Sequence, residues 1–331
     1  MHIPDGYLSP ATCSVFYGAM APLWYISSRK VEKRLKVKEM PLMAFAAAFG
    51  FVIMMFNIPV PGGSSGHMVG AAVAAIAIGP WAAVAALSLA LVLQAFLFGD
   101  GGVTALGANC FNMAFLMSFS GYYIYSGLTL GKPGVKRRFT AALIAGYISV
   151  NVAAFAAALE LGLQPLVAHT QAGAPLYAPF PLSITIPAMV LPHLFFFGPV
   201  EALGTAMVVF YIYKYRREGE LIIGSGRINP MWLLLTALII LVPIGLFAAA
   251  TPWGEWSGEE FLKLFGYIPE GMSRADGWKG ILPGYGSSFM TGIAGRLGAI
   301  GPSVLYIFSA ALGSSLLVLG IYCWERHCRR R

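Results

Sequence analysis

The chain opens Met1-His2, and these two residues offer three nitrogens to one ion: the Met1 α-amine, the His2 amide nitrogen and the His2 imidazole. A bulky second side chain such as His blocks removal of the initiator Met, so the amine is expected to stay. The three donors close adjacent chelate rings in a nearly planar set, which favours late first-row divalent ions such as Ni²⁺, Cu²⁺ or Co²⁺. A fourth nitrogen would complete a square. His67, in GGSSGHMVG, is the candidate, because the topology below puts it on the same side of a membrane as Met1. Ligation must displace protons from an amine of ordinary pKa ~7.7–8.0 and needs imidazoles, pKa ~6.5, to be neutral. The plain alternatives are a frayed terminus and, for His67 alone, a surface histidine.

Other polar residues lie near the same boundary. Asp5, together with Asp100, Asn109 and Asn112 in GDGGVTALGANCFNMAF, can orient ligating imidazoles. Each can equally cap a helix or bond loop backbone. His193 and Glu201 lie eight apart in one apolar run, and ionisable groups inside a bilayer mark function by default. They suit a proton relay, or they satisfy carbonyls freed by Pro187, Pro192 and Pro199. His169, in an outer loop, is expected to be solvated. Met54-Met55 suits a soft copper path or simple packing. The Gly/Ser loop around His67 can cradle an anion at a helix N-terminus, but no Lys or Arg accompanies it.

The elements that must carry these residues are membrane helices. The 331 residues are 58% hydrophobic and 11% charged, which excludes a soluble globular protein. A net charge of +8 does not point to nucleic acid, because the basic residues sit in short clusters between apolar runs. Nine spans are expected, at about 11–28, 41–57, 67–78, 81–98, 109–130, 139–162, 182–213, 231–250 and 303–323. The third, of about 12 residues, rises only ~18 Å and is expected to begin earlier, tilt or stay buried. Of the 22 Lys/Arg, 18 fall in 29–38, 132–138, 214–227 and 326–331, so those segments are read as cytoplasmic and the N-terminus as outside. MHIPDGYLSP lacks the basic start of a cleavable signal peptide. The result is an all-α polytopic membrane protein, with a seven-helix unit over 1–220 and two further helices over 228–331. The latter flank an outer segment, 251–302, whose mix of charges, Trp and Gly reads as a small ordered cap. The four cysteines have no CxxC or zinc spacing.

No GxxxxGK[ST], serine-nucleophile elbow or HExxH occurs, so neither ATP hydrolysis by a P-loop nor those hydrolytic chemistries belong to this chain. Three stretches, MHIPDGYLSP, GGSSGHMVGAAVAAIAIGPWAA and LFGDGGVTALGANCFNMAF, closely resemble the CbiM/NikM family over residues 1 to about 215. Members are the substrate-capture subunits of energy-coupling factor transporters for cobalt and nickel. The resemblance implies metal held by Met1, His2 and His67. It also implies work beside a transmembrane coupling protein (EcfT/CbiQ/NikQ type) and cytoplasmic ATPases (CbiO/NikO type) in the inner membrane. No resident cofactor is implied; Co²⁺, by a slight preference, or Ni²⁺ is the cargo. The tail from about 228 is similar to a fused CbiN/NikN-type accessory subunit, placed to help load metal or open the binding loop. Faces such as Ala71-xxx-Ala75 and Ala44-xxx-Ala48 allow close helix contacts. The rival classes are a proton-coupled permease using His193 and Glu201, and a haem-ligating redox subunit. The latter needs paired deep histidines, and only His193 is deep.

Overall fold

Helix α1 (Pro10–Arg34) starts where the Ser9 hydroxyl accepts the Thr12 amide at 3.3 Å and Pro10 takes the first helical position. Helix α2 (Met40–Met54) is apolar all round and buried almost throughout, as a helix at the centre of a bundle must be. The chain then makes a small antiparallel hairpin, β1 (Ile58–Val60) with β2 (Ser64–Gly66), pairing Ile58 with Gly66. These coordinates are a computed structural model that describes residues 1–34, 39–60, 64–217, 230–247, 258–273, 278–286, 292 and 298–329.

The third expected span is shorter than its sequence suggests. Helix α3 (Ala71–Ile78) begins four residues beyond His67, because Gly70 takes a left-handed φ of 73° that turns the loop into the helix. Its eight residues rise ~12 Å, and α3 is largely buried among its neighbours. Helix α4 (Pro80–Leu93) follows and runs into a π-turn, Gln94–Phe98. Next come α5 (Leu106–Asn109), a π-turn at Cys110–Leu116, and α6 (Met117–Leu128). The long α7 (Val135–Gly162) is followed by short α8 (Gln164–Val167). Then α9 (Leu182–Pro192) passes through a third π-turn, His193–Phe197, into α10 (Gly198–Arg217). Such π-turns are rare and gather at functional sites; these three carry Gln94, Asn112 and His193.

The last part comprises α11 (Pro230–Leu241) with a 3₁₀ turn at Val242–Phe247, α12 (Gly258–Phe265), α13 (Glu270–Ser273), a 3₁₀ turn at Pro283–Tyr285 and α14 (Gly301–Arg329). Both α11 and α14 pack on α2, and Tyr306 of α14 donates to the Met55 carbonyl at 2.9 Å. Among the described residues, four stretches, Pro80–Phe98, Val135–Val167, Leu182–Lys214 and Gly301–His327, are long and apolar enough to cross a membrane, with shorter apolar helices at Met40–Met54 and Pro230–Leu246. The fold is that of an all-α polytopic membrane protein.

Several expectations find their places here. Met54 and Met55 are fully buried in the core, as are Ala44, Ala48, Ala71 and Ala75. In the outer segment, Phe261 of α12 stacks edge-on to Tyr7 with centroids 6.3 Å apart, and the Gly271 amide donates to Leu176 O at 2.8 Å. Leu282 N and Trp278 Nε1 donate to the carbonyls of Leu97 and Phe96 at 2.7 and 2.9 Å. The described parts of this segment therefore pack against the N-terminal segment and the π-turn that follows α4. Residues 251–257, 274–277, 287–291 and 293–297 of the expected cap lie outside the described residues. So do 61–63 of the glycine loop and 35–38, 218–229 and 330–331 of the basic clusters.

Candidate metal centre

The N-terminus is threaded into the bundle, which removes the frayed-end reading. Met1 is 5% and Ile3 1% exposed. Asn109 grips Ile3 from both sides, accepting its amide at 2.8 Å and donating to its carbonyl at 3.0 Å, while Gly102 N donates to the same carbonyl at 2.9 Å. Gly102 is required there, because a Cβ would lie 2.3 Å from Asp5 N. Asp5 accepts the amides of Val103 and Thr104 at 3.1 and 2.7 Å. It therefore ties the N-terminal strand to the loop that carries Asp100.

This anchoring carries the first two residues to His67, which is 1% exposed. His67 Nε2 lies 3.5 Å from the Met1 amine and 3.2 Å from His2 Nδ1, and the Met1 amine also lies 3.4 Å from Ser65 O. The far nitrogen of each ring is occupied: His67 Nδ1 faces Met68 O at 2.9 Å, and His2 Nε2 faces Gln94 Oε1 at 3.3 Å. Both partners are acceptors, so a proton held on each far nitrogen leaves the lone pair of each near nitrogen for an ion. His67 Nε2 is thus flanked by the Met1 amine and His2 Nδ1, opposite the His2 amide. In a square with metal–nitrogen bonds of ~2.0 Å, adjacent donors stand ~2.8 Å apart. Closing around an ion needs contractions of about 0.7 Å on the Met1 side and about 0.4 Å on the His2 side. Among the described residues no three His, Cys, Asp or Glu side chains gather as a metal-holding group, so main-chain nitrogens are essential to this one.

Burial sets the protonation of the cluster. It pulls the Met1 amine down from its ordinary 8.0 to about 5, against the Asp100 carboxylate, which pulls it up. His2 is lowered mainly by burial, and His67 falls well below 6.5 through burial, then the Met1 charge and His2. At neutral pH all three side-chain or terminal donors are uncharged. The free-peptide pKa values expected for the amine therefore do not hold. Asp100 Oδ1, 3.5 Å from His2 Nδ1, consequently faces a neutral ring and supplies negative charge beside the cluster.

Of the two roles the sequence leaves open for Glu201, the structure places it in packing, where its partner is a loop distant along the chain. Its carboxylate accepts Val69 N at 2.9 Å and Gly70 N at 3.1 and 3.3 Å, the two amides just before α3. It anchors the His67 loop from the first turn of α10. His193 is fully buried; its Nδ1 lies 2.6 Å from Met189 O and its Nε2 has no partner among the described residues. Asn112 donates to Glu160 at 2.9 Å rather than to the imidazoles. His169 is exposed and pairs with Thr170 O. Gln94 escaped the sequence reading, although an amide inside an apolar run was a visible signal; Tyr285 gave none.

The fold and centre describe a polytopic membrane protein with a buried nitrogen-rich cluster beneath its outer segment. The family described as cobalt uptake substrate-specific transmembrane region, CbiM, matches residues 2–219, and the chain belongs to that family. It is 44% identical to the fused nickel transport protein NikMN of Rhodobacter capsulatus over 97% of this chain and 96% of that protein. Identity to the cobalt transport protein CbiM of Geobacter sulfurreducens is 30%, over 66% of this chain and 61% of that one. A crystal structure of a truncated transition metal transporter superposes with a TM-score of 0.62 at 50% identity, covering 65% of this chain and 99% of that chain.

Proposed function

We propose that this chain is the metal-capturing subunit of an ATP-driven energy-coupling factor importer. It takes Ni²⁺ at the outer face through the Met1 amine, the ionised His2 amide, His2 Nδ1 and His67 Nε2. The observation that carries the reading is His67 Nε2 standing 3.5 Å from the Met1 amine and 3.2 Å from His2 Nδ1, with the opposite ring nitrogen of each imidazole engaged. Nickel is favoured over cobalt by two considerations. A square of four nitrogens suits Ni²⁺, which also stands above Co²⁺ in intrinsic affinity, and the relative aligned over 96% of its own length is a nickel transport protein. The N-terminus faces outward and the C-terminus the cytoplasm, as the 18 of 22 Lys/Arg in the expected inner segments require. Residues 1–220 form the capture unit and 228–331 a fused accessory part. A transmembrane coupling protein and cytoplasmic ATPases supply the energy that a chain without a P-loop cannot. A proton-coupled permease is disfavoured because both Glu201 oxygens are committed to the α3 loop.

The test has two arms. Purified protein in nanodiscs should bind one Ni²⁺ with the visible absorption of a square-planar centre. Cellular uptake should vanish without the ATPases yet survive collapse of the proton gradient alone. Octahedral spectra would remove the chelate, and ATPase-independent uptake would remove the importer assignment.

A further inference from the structure

We propose that Tyr285, in the C-terminal outer segment, is a positioning residue for the metal centre: its hydroxyl fixes the Gln94 amide and, through it, the proton-bearing nitrogen of His2. The proposal deepens the function above and rests on that reading of the site.

The argument follows the protons. The Tyr285 hydroxyl donates to Asp100 Oδ2. A carboxylate only accepts, so the single tyrosine proton is committed and the phenol oxygen is left as an acceptor. Gln94 Nε2 stands 3.3 Å from that oxygen and 3.5 Å from Asp100 Oδ2. Both neighbours demand a donor, which turns the amide NH₂ toward them and leaves Oε1 facing His2 Nε2 at 3.3 Å. An acceptor there holds the imidazole proton on Nε2, so Nδ1, the atom 3.2 Å from His67 Nε2, carries the lone pair. Without the hydroxyl the nearer of the two acceptors is lost and only Asp100 Oδ2, at 3.5 Å, still holds the amide, which makes it easier for the amide to reverse and offer NH₂ to His2 Nε2. Asp100 Oδ1, 3.5 Å from Nδ1, would then draw the proton to Nδ1 and block it as a ligand.

Tyr285 is built for this placement. It is buried, and with φ of 61° it is the one non-glycine residue at positive φ among those described. Such a conformation is uncommon outside glycine and persists where surrounding structure dictates it. The ring stacks on Phe98 at 4.7 Å and meets Tyr306 edge-on at 5.2 Å. Its carbonyl accepts Ser309 Oγ at 2.7 Å. The C-terminal part thereby reaches the His2 ring through two hydrogen bonds.

The experiment uses the full chain in nanodiscs with Ni²⁺ as probe. Tyr285→Phe keeps the ring packing and removes only the hydroxyl; it should weaken Ni²⁺ by ~10–100-fold, the range for loss of a group that orients a ligating imidazole. In metal-free protein with ¹⁵N-labelled histidine, the His2 signal should move from the Nε2–H form toward Nδ1–H. Gln94→Met should give a comparable loss, and the double variant much less than the sum of the two, because the hydroxyl sets the His2 ring through Gln94. Unchanged affinity in Tyr285→Phe, a His2 ring still protonated at Nε2, or additive losses would each overturn the proposal. Failure of the site itself reads differently: His67→Ala would then bind Ni²⁺ normally, while the His2 nitrogen signal would still report on the relay.

Discussion

Replacing Glu201 tests whether a carboxylate deep in α10 sets the position of His67. Its two oxygens serve two buried donors, Val69 N at 2.9 Å and Gly70 N at 3.1 and 3.3 Å, two and three residues past His67. Glu201→Ala leaves both N–H groups without an acceptor, at about 1–3 kcal/mol each. Water entering the vacated volume recovers part of that, so a net loosening of the loop of about 2 kcal/mol is a reasonable expectation. Where binding requires the ordered loop, that loosening appears as a loss of up to ~30-fold in Ni²⁺ affinity. Glu201→Gln should fall between, because its one carbonyl can take both donors while its NH₂ is set against the Gly70 amide. Equilibrium dialysis with Ni²⁺ in nanodiscs, paired with thermal unfolding of the metal-free protein, measures both effects. If Glu201→Ala unfolds earlier but binds Ni²⁺ as tightly as the unaltered chain, the carboxylate serves packing alone and the anchoring argument is wrong.

Three further outcomes are expected. Placing Gly-Ser before Met1 should abolish Ni²⁺ binding without unfolding the bundle, since the amine is buried beside His67 and Ser65; full affinity in that variant would eliminate the terminal amine as a ligand. His67→Ala should exceed the ~100-fold cost of losing an orienting group, whereas His169→Ala, on the exposed loop, should change little; equal losses would mean the wrong histidine was chosen. Calorimetry in buffers of different ionisation enthalpy should count about one proton released per Ni²⁺ at pH 7, that of the His2 amide, because the amine, lowered to about 5, and both imidazoles are already neutral. Affinity should accordingly fall about tenfold per pH unit near neutrality and more steeply below about pH 5, where the amine takes up its proton. A count near zero would exclude amide ligation, and a count of two would show that the amine is charged in the metal-free protein.

The sequence by itself determined the membrane class, because nine apolar runs separated by clustered Lys/Arg admit little else, and family membership, through MHIPDGYLSP and the stretches around His67 and Asp100. It also named Met1, His2 and His67 as partners, since an amine, an amide and an imidazole in two residues leave one corner of a square open. What it left undecided depends on contacts distant along the chain. Local pattern made His67 the mouth of a helix. In the structure α3 begins at Ala71, after the left-handed turn at Gly70, and the loop before it is held by Glu201, 132 positions from Val69. The same carboxylate read in its own helix looked like half of a proton relay with His193. Asn112, adjacent in sequence to the site loop, turns instead to Glu160, while Tyr285, 185 positions from Asp100, joins it. Protonation was equally out of reach, because the amine owes its neutrality to burial, and burial is a property of the packed bundle that no dipeptide carries.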